Sequence, residues 1–154
     1  MRTKVGDVSV AQTLRKTGGK FGGEPSGSWI FPNAHLAPDG LLSAIMILRM
    51  LDATGKRLSE LVEEVPEYPI LRKKIPCPQE RKPEVMKNFL TRVKTELRRV
   101  SEIQTVDGVR TVFDDGSWVL VRPSGTEPYI RITSEAHERK IAEERIDMAL
   151  KLLK

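Results

Sequence analysis

Apolar residues recurring every three or four positions mark the helices of this chain. The strongest such run is Leu41–Leu51, apolar on nearly every face and preceded by Asp39, a residue suited to an N-cap. A helix of that kind has to be buried on most of its sides. Gly55 breaks the run, and Leu58–Val65 reads as a second, amphipathic helix opened by Ser59. Further on, Met86, Leu90, Val93 and Leu97 form a helical stripe, with Pro83 suited to its first turn. Ala142, Ile146, Ala149 and Leu153 form another, predicting a C-terminal helix packed on one face of a sheet.

Alternation with a period of two marks the strands. Val8–Val10 is a short β-like stretch, and Ile70–Ile75 reads as one extended strand. Asp107-Gly108 and Asp115-Gly116 are hairpin-turn signals flanking Val109–Phe113. A meander continues through Ser117–Val121 and Tyr129–Thr133. Phe21–Pro38, rich in Gly, Pro, Ser and Asn, predicts an extended loop with tight turns. Pro66, Pro69, Pro76, Pro78 and Pro83 crowd one short stretch, which reads as a linker and places a domain boundary between residues 1–68 and 69–154. The expected architecture is an α/β segment followed by an α+β domain of antiparallel sheet packed by helices.

Composition narrows the function classes. The 154 residues are 39% hydrophobic and 31% charged, an ordinary globular balance. The run Leu41–Leu51 is interrupted by Ser43 and Arg49 and falls short of the roughly 20 apolar residues a bilayer span requires. Met1–Asp7 has no apolar core of the kind a signal peptide carries. A single cysteine, Cys77, excludes an intrachain disulfide and points to a cytoplasmic protein. Lys and Arg exceed Asp and Glu by 26 to 21. The basic residues are interspersed with acidic ones, and the tightest group, Arg72-Lys73-Lys74, has no aromatic interleaving and reads as solvated surface. That distribution argues against nucleic acid or a membrane as partner and suits a small phosphorylated metabolite. His35 and His137 lack a second ligand at metal spacing, Trp29 and Trp118 read as packing residues, and Gly55-Lys56-Arg57 is no P-loop.

Two loops carry chemistry. Arg122, Ser124, Gly125 and Thr126 combine a forked cation, two hydroxyls and a glycine that lets backbone amides approach a ligand, the inventory of a phosphate site. Arg131 on the outgoing strand shares a side with Tyr129 and Thr133 and is a second candidate cation. By residue type alone the same segment is equally an ordinary hairpin turn. Gly22-Gly23-Glu24-Pro25-Ser26-Gly27 places a carboxylate and a hydroxyl two residues apart on a glycine-flanked turn, groups that match the hydroxyls of a pyranose edge; alone it reads as a surface turn.

Taken together, the stretch Val121–Arg131 resembles the phosphate-binding loop of the final domain of the α-D-phosphohexomutases, the family of phosphoglucomutase, phosphomannomutase and phosphoglucosamine mutase. Residues 22–27, followed by Asp39-Gly40 opening a hydrophobic helix, resemble the sugar-binding loop of that family's third domain. The resemblance implies that the chain comprises the C-terminal half of domain three (residues 1–68) and all of domain four (residues 69–154). It implies that Arg122, Ser124, Gly125, Thr126 and Arg131 hold the phosphate that is not being transferred, and that Glu24 and Ser26 contact two adjacent ring hydroxyls of a hexose phosphate. Residues 2–7 also resemble a turn of the third domain, which implies that Asp7 faces the active site. The sequence departs from the family at Ser28, where many members carry a histidine.

Family members move phosphate between the 1- and 6-positions of the sugar through a phosphoserine in domain one and an aspartate-rich magnesium loop in domain two. This chain contains neither a Ser-His-Asn segment nor an Asp-Gly-Asp cluster. The resemblance therefore implies a fragment, a truncated reading frame or one part of a split enzyme, inactive alone and without magnesium ligands of its own. It further implies a partner chain carrying the N-terminal domains, or self-association. A non-catalytic sugar-phosphate-binding module is the alternative from a different class.

Overall fold

The computed structural model describes residues 1–154 and divides them into two compact units, Met1–Pro66 and Glu67–Lys154. In the first unit the leading element is a helix, α1 (Asp7–Thr17), not the β-like stretch expected at Val8–Val10. The competing period decided it. Val10 and Leu14, four residues apart, are buried with Ile30 in one small core, whereas Val8 is exposed. Two short strands follow, β1 (Gly22–Gly23) and β2 (Trp29–Ile30), paired antiparallel with Gly22 opposite Ile30.

The next helix, α2 (Gly40–Thr54), begins as its sequence predicts, with Asp39 Oδ1 accepting from the Leu42 amide at 2.8 Å. Its expected burial is overturned. Ser43 is its only buried residue, while Leu41, Ile45 and Leu48 are 82%, 53% and 64% exposed. The unit's two-residue strands are too small to cover a helix that is apolar all round. A short helix, α3 (Leu58–Glu63), closes the unit. Its N-cap position is held by Arg57 instead of Ser59, because the Glu60 carboxylate accepts from the Arg57 amide at 2.6 Å.

The second unit is an antiparallel sheet of five strands in the order β3-β7-β6-β5-β4, built from β3 (Ile70–Pro76), β4 (Val100–Gln104), β5 (Val109–Phe113), β6 (Trp118–Pro123) and β7 (Tyr129–Glu135). Two helices, α4 (Lys82–Glu96) and α5 (Arg139–Leu152), pack on it. The packed face carries Val109, Phe113, Val119, Val121, Ile130 and Ile132, which meet Phe89 and Val93 of α4 and Ile146, Ala149 and Leu152 of α5. Full burial of each such large side chain contributes about 1.5–3 kcal/mol.

Three details depart from the sequence reading. The stripe on α4 is centred on Phe89 and Val93, with Met86, Leu90 and Leu97 only partly buried beside them. On α5 the last buried position is Leu152, because the helix ends there and Leu153 is its cap. The strand β4 has no period-two signature, since the register to β5 shifts between Val100 and Glu102 and the resulting bulge resets the alternation. No helix is long and apolar enough to cross a membrane.

Candidate functional site

The residues expected to hold a phosphate lie on the unpacked face of the sheet and on the connection beyond it. β6 and β7 pair antiparallel with Arg122 opposite Arg131, so the two guanidinium side chains rise from the same face. Lys74 of β3 pairs with Arg131 in turn, which makes a row of three cations across three strands: Lys74, Arg131, Arg122. The sequence places Arg131 with the loop by alternation. Lys74 escapes it, because only the register of an edge strand distant in sequence shows that one member of the Arg72-Lys73-Lys74 run stands beside Arg131.

Two carboxylates hold these cations in position. Arg122 Nη1 lies 3.0 Å from Asp107 Oδ2, and the Arg122 side chain is only 21% exposed. Arg131 Nη2 donates to Glu127 Oε2, and Lys74 Nζ stands 4.0 Å from Glu127 Oε1. The Arg131 hydrogen bond, followed by the charge of Lys74, holds the Glu127 carboxyl below its usual range. Arg131 Nε is buried and has no acceptor in the chain. A ligand oxygen would supply one.

The loop itself is tied down at both ends. The Ser124 amide donates to Tyr129 O at 2.9 Å, the Tyr129 amide to Glu127 O at 2.8 Å, and the Glu127 amide to Ser124 Oγ at 3.2 Å. Ser124 is therefore buried and partly committed to the turn, so its hydroxyl serves the loop's shape as well as any ligand. Gly125 and Thr126 are exposed at the tip. A residue with no place in the sequence-based site, Lys82, lies beneath: its Nζ donates to Gln79 Oε1 at 2.6 Å, Ser124 O at 2.6 Å and Glu127 O at 2.5 Å. A signal for it existed. A lysine at the start of a helix opposes the helix dipole and calls for another reason to be there.

In the first unit, β1 and β2 present residues 24–28 as a closed turn. The Glu24 amide donates to Ser28 O and the Gly27 amide to Glu24 O, each at 3.0 Å, and Gly27 adopts a φ of 89°, which favours glycine. Glu24 Oε1 accepts from the Gly6 amide at 2.9 Å, which joins the two segments read separately from sequence, residues 2–7 and 22–27. Asp7 is the first residue of α1, and its Oδ1 accepts from the adjacent Val8 amide at 2.9 Å. Ser26 is exposed at the tip, with its Oγ 3.4 Å from Ser28 Oγ. Magnesium does not fit these residues. No three His, Cys, Asp or Glu side chains converge as a ligand set. The carboxylates nearest the phosphate loop are engaged by Arg122 and Arg131.

Comparisons with known proteins cover both units. Residues 1–68 match the family profile described as phosphoglucomutase/phosphomannomutase, alpha/beta/alpha domain III, and residues 74–152 match the C-terminal domain of the same family. A probable phosphoglucosamine mutase of Methanothermobacter thermautotrophicus is 54% identical over 135 residues, covering 88% of this chain and 30% of that protein. A phosphoglucosamine mutase of Methanocaldococcus jannaschii is 48% identical over 154 residues, all of this chain and 34% of that protein. A crystal structure of a phosphoglucomutase/phosphomannomutase family protein from Burkholderia thailandensis shares the fold, with a TM-score of 0.79 at 24% identity over 98% of this chain and 32% of its own. The chain thus spans about a third of the length of the relatives it matches. With the domain III profile over its first part and the C-terminal profile over its second, this chain belongs to the phosphoglucomutase/phosphomannomutase family.

Proposed function

We propose that this chain is the substrate-positioning portion of a phosphohexomutase that moves phosphate between the 1- and 6-positions of a hexose phosphate. The observation that carries the reading is the row Arg122, Arg131 and Lys74 on one sheet face, beside a loop whose exposed residues include Gly125 and Thr126. Guanidinium groups bind phosphate oxygens in two-point fashion, and the hydroxyl of Thr126 and the loop amides supply further donors. In the first unit Glu24 accepts from sugar hydroxyls and Ser26 both donates and accepts, while Asp7 lines the same turn. These groups align a substrate and do not react with it. Phosphoryl transfer depends on such alignment and on charge stabilisation, so a portion that only positions is a coherent part of the enzyme.

The relatives named phosphoglucosamine mutase favour an aminosugar phosphate as the substrate. The transferring groups and the magnesium site then lie on a chain or segment carrying the N-terminal domains, and the exposed apolar residues of α2 suit contact with it. We place the reaction in the cytoplasm, where the unpaired Cys77 stays reduced. Titration calorimetry with glucosamine 6-phosphate and with inorganic phosphate tests the reading. Arg122→Ala removes hydrogen bonds to a charged group, so affinity for both should fall about tenfold to a hundredfold. Equal affinity in the variant would remove this loop from the site.

A further inference from the structure

We propose that Lys82 is a positioning residue for the phosphate loop: with Gln79 it turns the loop's carbonyls inward and thereby aims the amides of Gly125 and Thr126 outward. The proposal rests on the reading of that loop as a phosphate site. Lys82 is 4% exposed, and its three hydrogen bonds occupy all three N–H groups of an ammonium. Two of its acceptors, Ser124 O and Glu127 O, lie 42 and 45 residues away in sequence, so the bonds join the start of α4 to the connection between β6 and β7.

The consequence follows from peptide geometry. Within one trans peptide unit the C=O and the following N–H point in opposite directions. Ser124 O drawn down to Lys82 Nζ therefore turns the Gly125 N–H away from α4, and the Gln79 amide, donating to Gly125 O at 3.4 Å, turns the Thr126 N–H the same way. Neither amide meets an acceptor within the chain. The three direct partners of the ammonium are neutral oxygens, so its charge also lies under the loop without a carboxylate bonded to it. Adjacent N–H groups set above a buried cation form an anion-binding concavity. Lys82 reaches no ligand itself; it acts through the backbone.

Amide hydrogen exchange and phosphate titration on the full 154-residue chain test this. In Lys82→Met the amides of Ser124, Glu127 and Tyr129, which hold the loop closed, should exchange at least about tenfold faster, while Val119 and Val121 in β6 keep their protection. Affinity for inorganic phosphate should fall by about tenfold, with part of the loss recovered in Lys82→Arg. Unchanged exchange at the three loop amides overturns the proposal, as does unchanged phosphate affinity in a protein whose wild type binds. If the wild type binds no phosphate, the reading of the loop as a phosphate site fails, and exchange alone decides the role of Lys82. Should Lys82→Met not fold, Gln79→Ala decides: it leaves the ammonium in place and should raise the same exchange rates severalfold, and unchanged rates overturn the assignment.

Discussion

Arg122 and Arg131 are each engaged by a carboxylate of the same unit, Asp107 and Glu127. Asp107 reads from sequence as half of a turn and Glu127 as part of a Pro-flanked loop, yet each is an internal stand-in for the anion the site is proposed to bind. A phosphate has to compete with Glu127 for Arg131. Glu127→Gln should accordingly tighten phosphate binding, by about two- to fivefold, the size of an exposed ion pair. Titration calorimetry reads this directly, and weaker binding in the variant would show that Glu127 assists the anion. The pH dependence has a definite sign. Because the carboxyl is held below its usual range, the pair contributes fully above about pH 4.3, the ordinary glutamate value, and is lost as pH falls through the lowered folded value. Carbon NMR of the Glu127 carboxyl should show an acid-shifted midpoint that moves up in Arg131→Ala.

Elements decide which residues meet. Gly108, in the turn between β4 and β5, brings Asp107 beside Arg122, and a Cβ there would lie 2.3 Å from Val121 O and 2.9 Å from Arg122 Cα at a φ of 85°. No side chain fits that approach. Gly108→Ala should destabilise the second unit by about 1–3 kcal/mol, read as a lower denaturant midpoint with an unchanged slope. The Asp-Gly signal predicts the turn, but not that its tip abuts the strand bearing Arg122. The turn signals, the Pro83 start and the Asp39 cap were legible because they are local. The helix at Asp7–Thr17 was not, since two valines spaced by two positions mimic a strand until Val10 and Leu14 are seen to share a core with Ile30.

At the scale of the molecule, the second unit closes a core of its own, whereas the first leaves Leu41, Ile45 and Leu48 of α2 in solvent. We expect the 154-residue chain alone to interconvert no hexose phosphates. A coupled assay with magnesium, a bisphosphate activator and glucosamine 6-phosphate should show no turnover, and adding a polypeptide with the N-terminal mutase domains should restore it. Leu48→Asp should prevent that restoration while leaving phosphate binding by the second unit intact. Turnover by the chain alone, surviving a control for host enzyme, would refute this. The order of helices and turns, the antiparallel meander and the two loops that carry the family's pattern were determined by the sequence itself, because caps, turn residues and apolar periods act between near neighbours. Tertiary structure alone decided the rest: that Lys74 joins the cation row, that Lys82 lies buried beneath Ser124 and Glu127, and that α2 stays exposed. Strand register and burial join residues tens of positions apart, and no local period encodes such pairings.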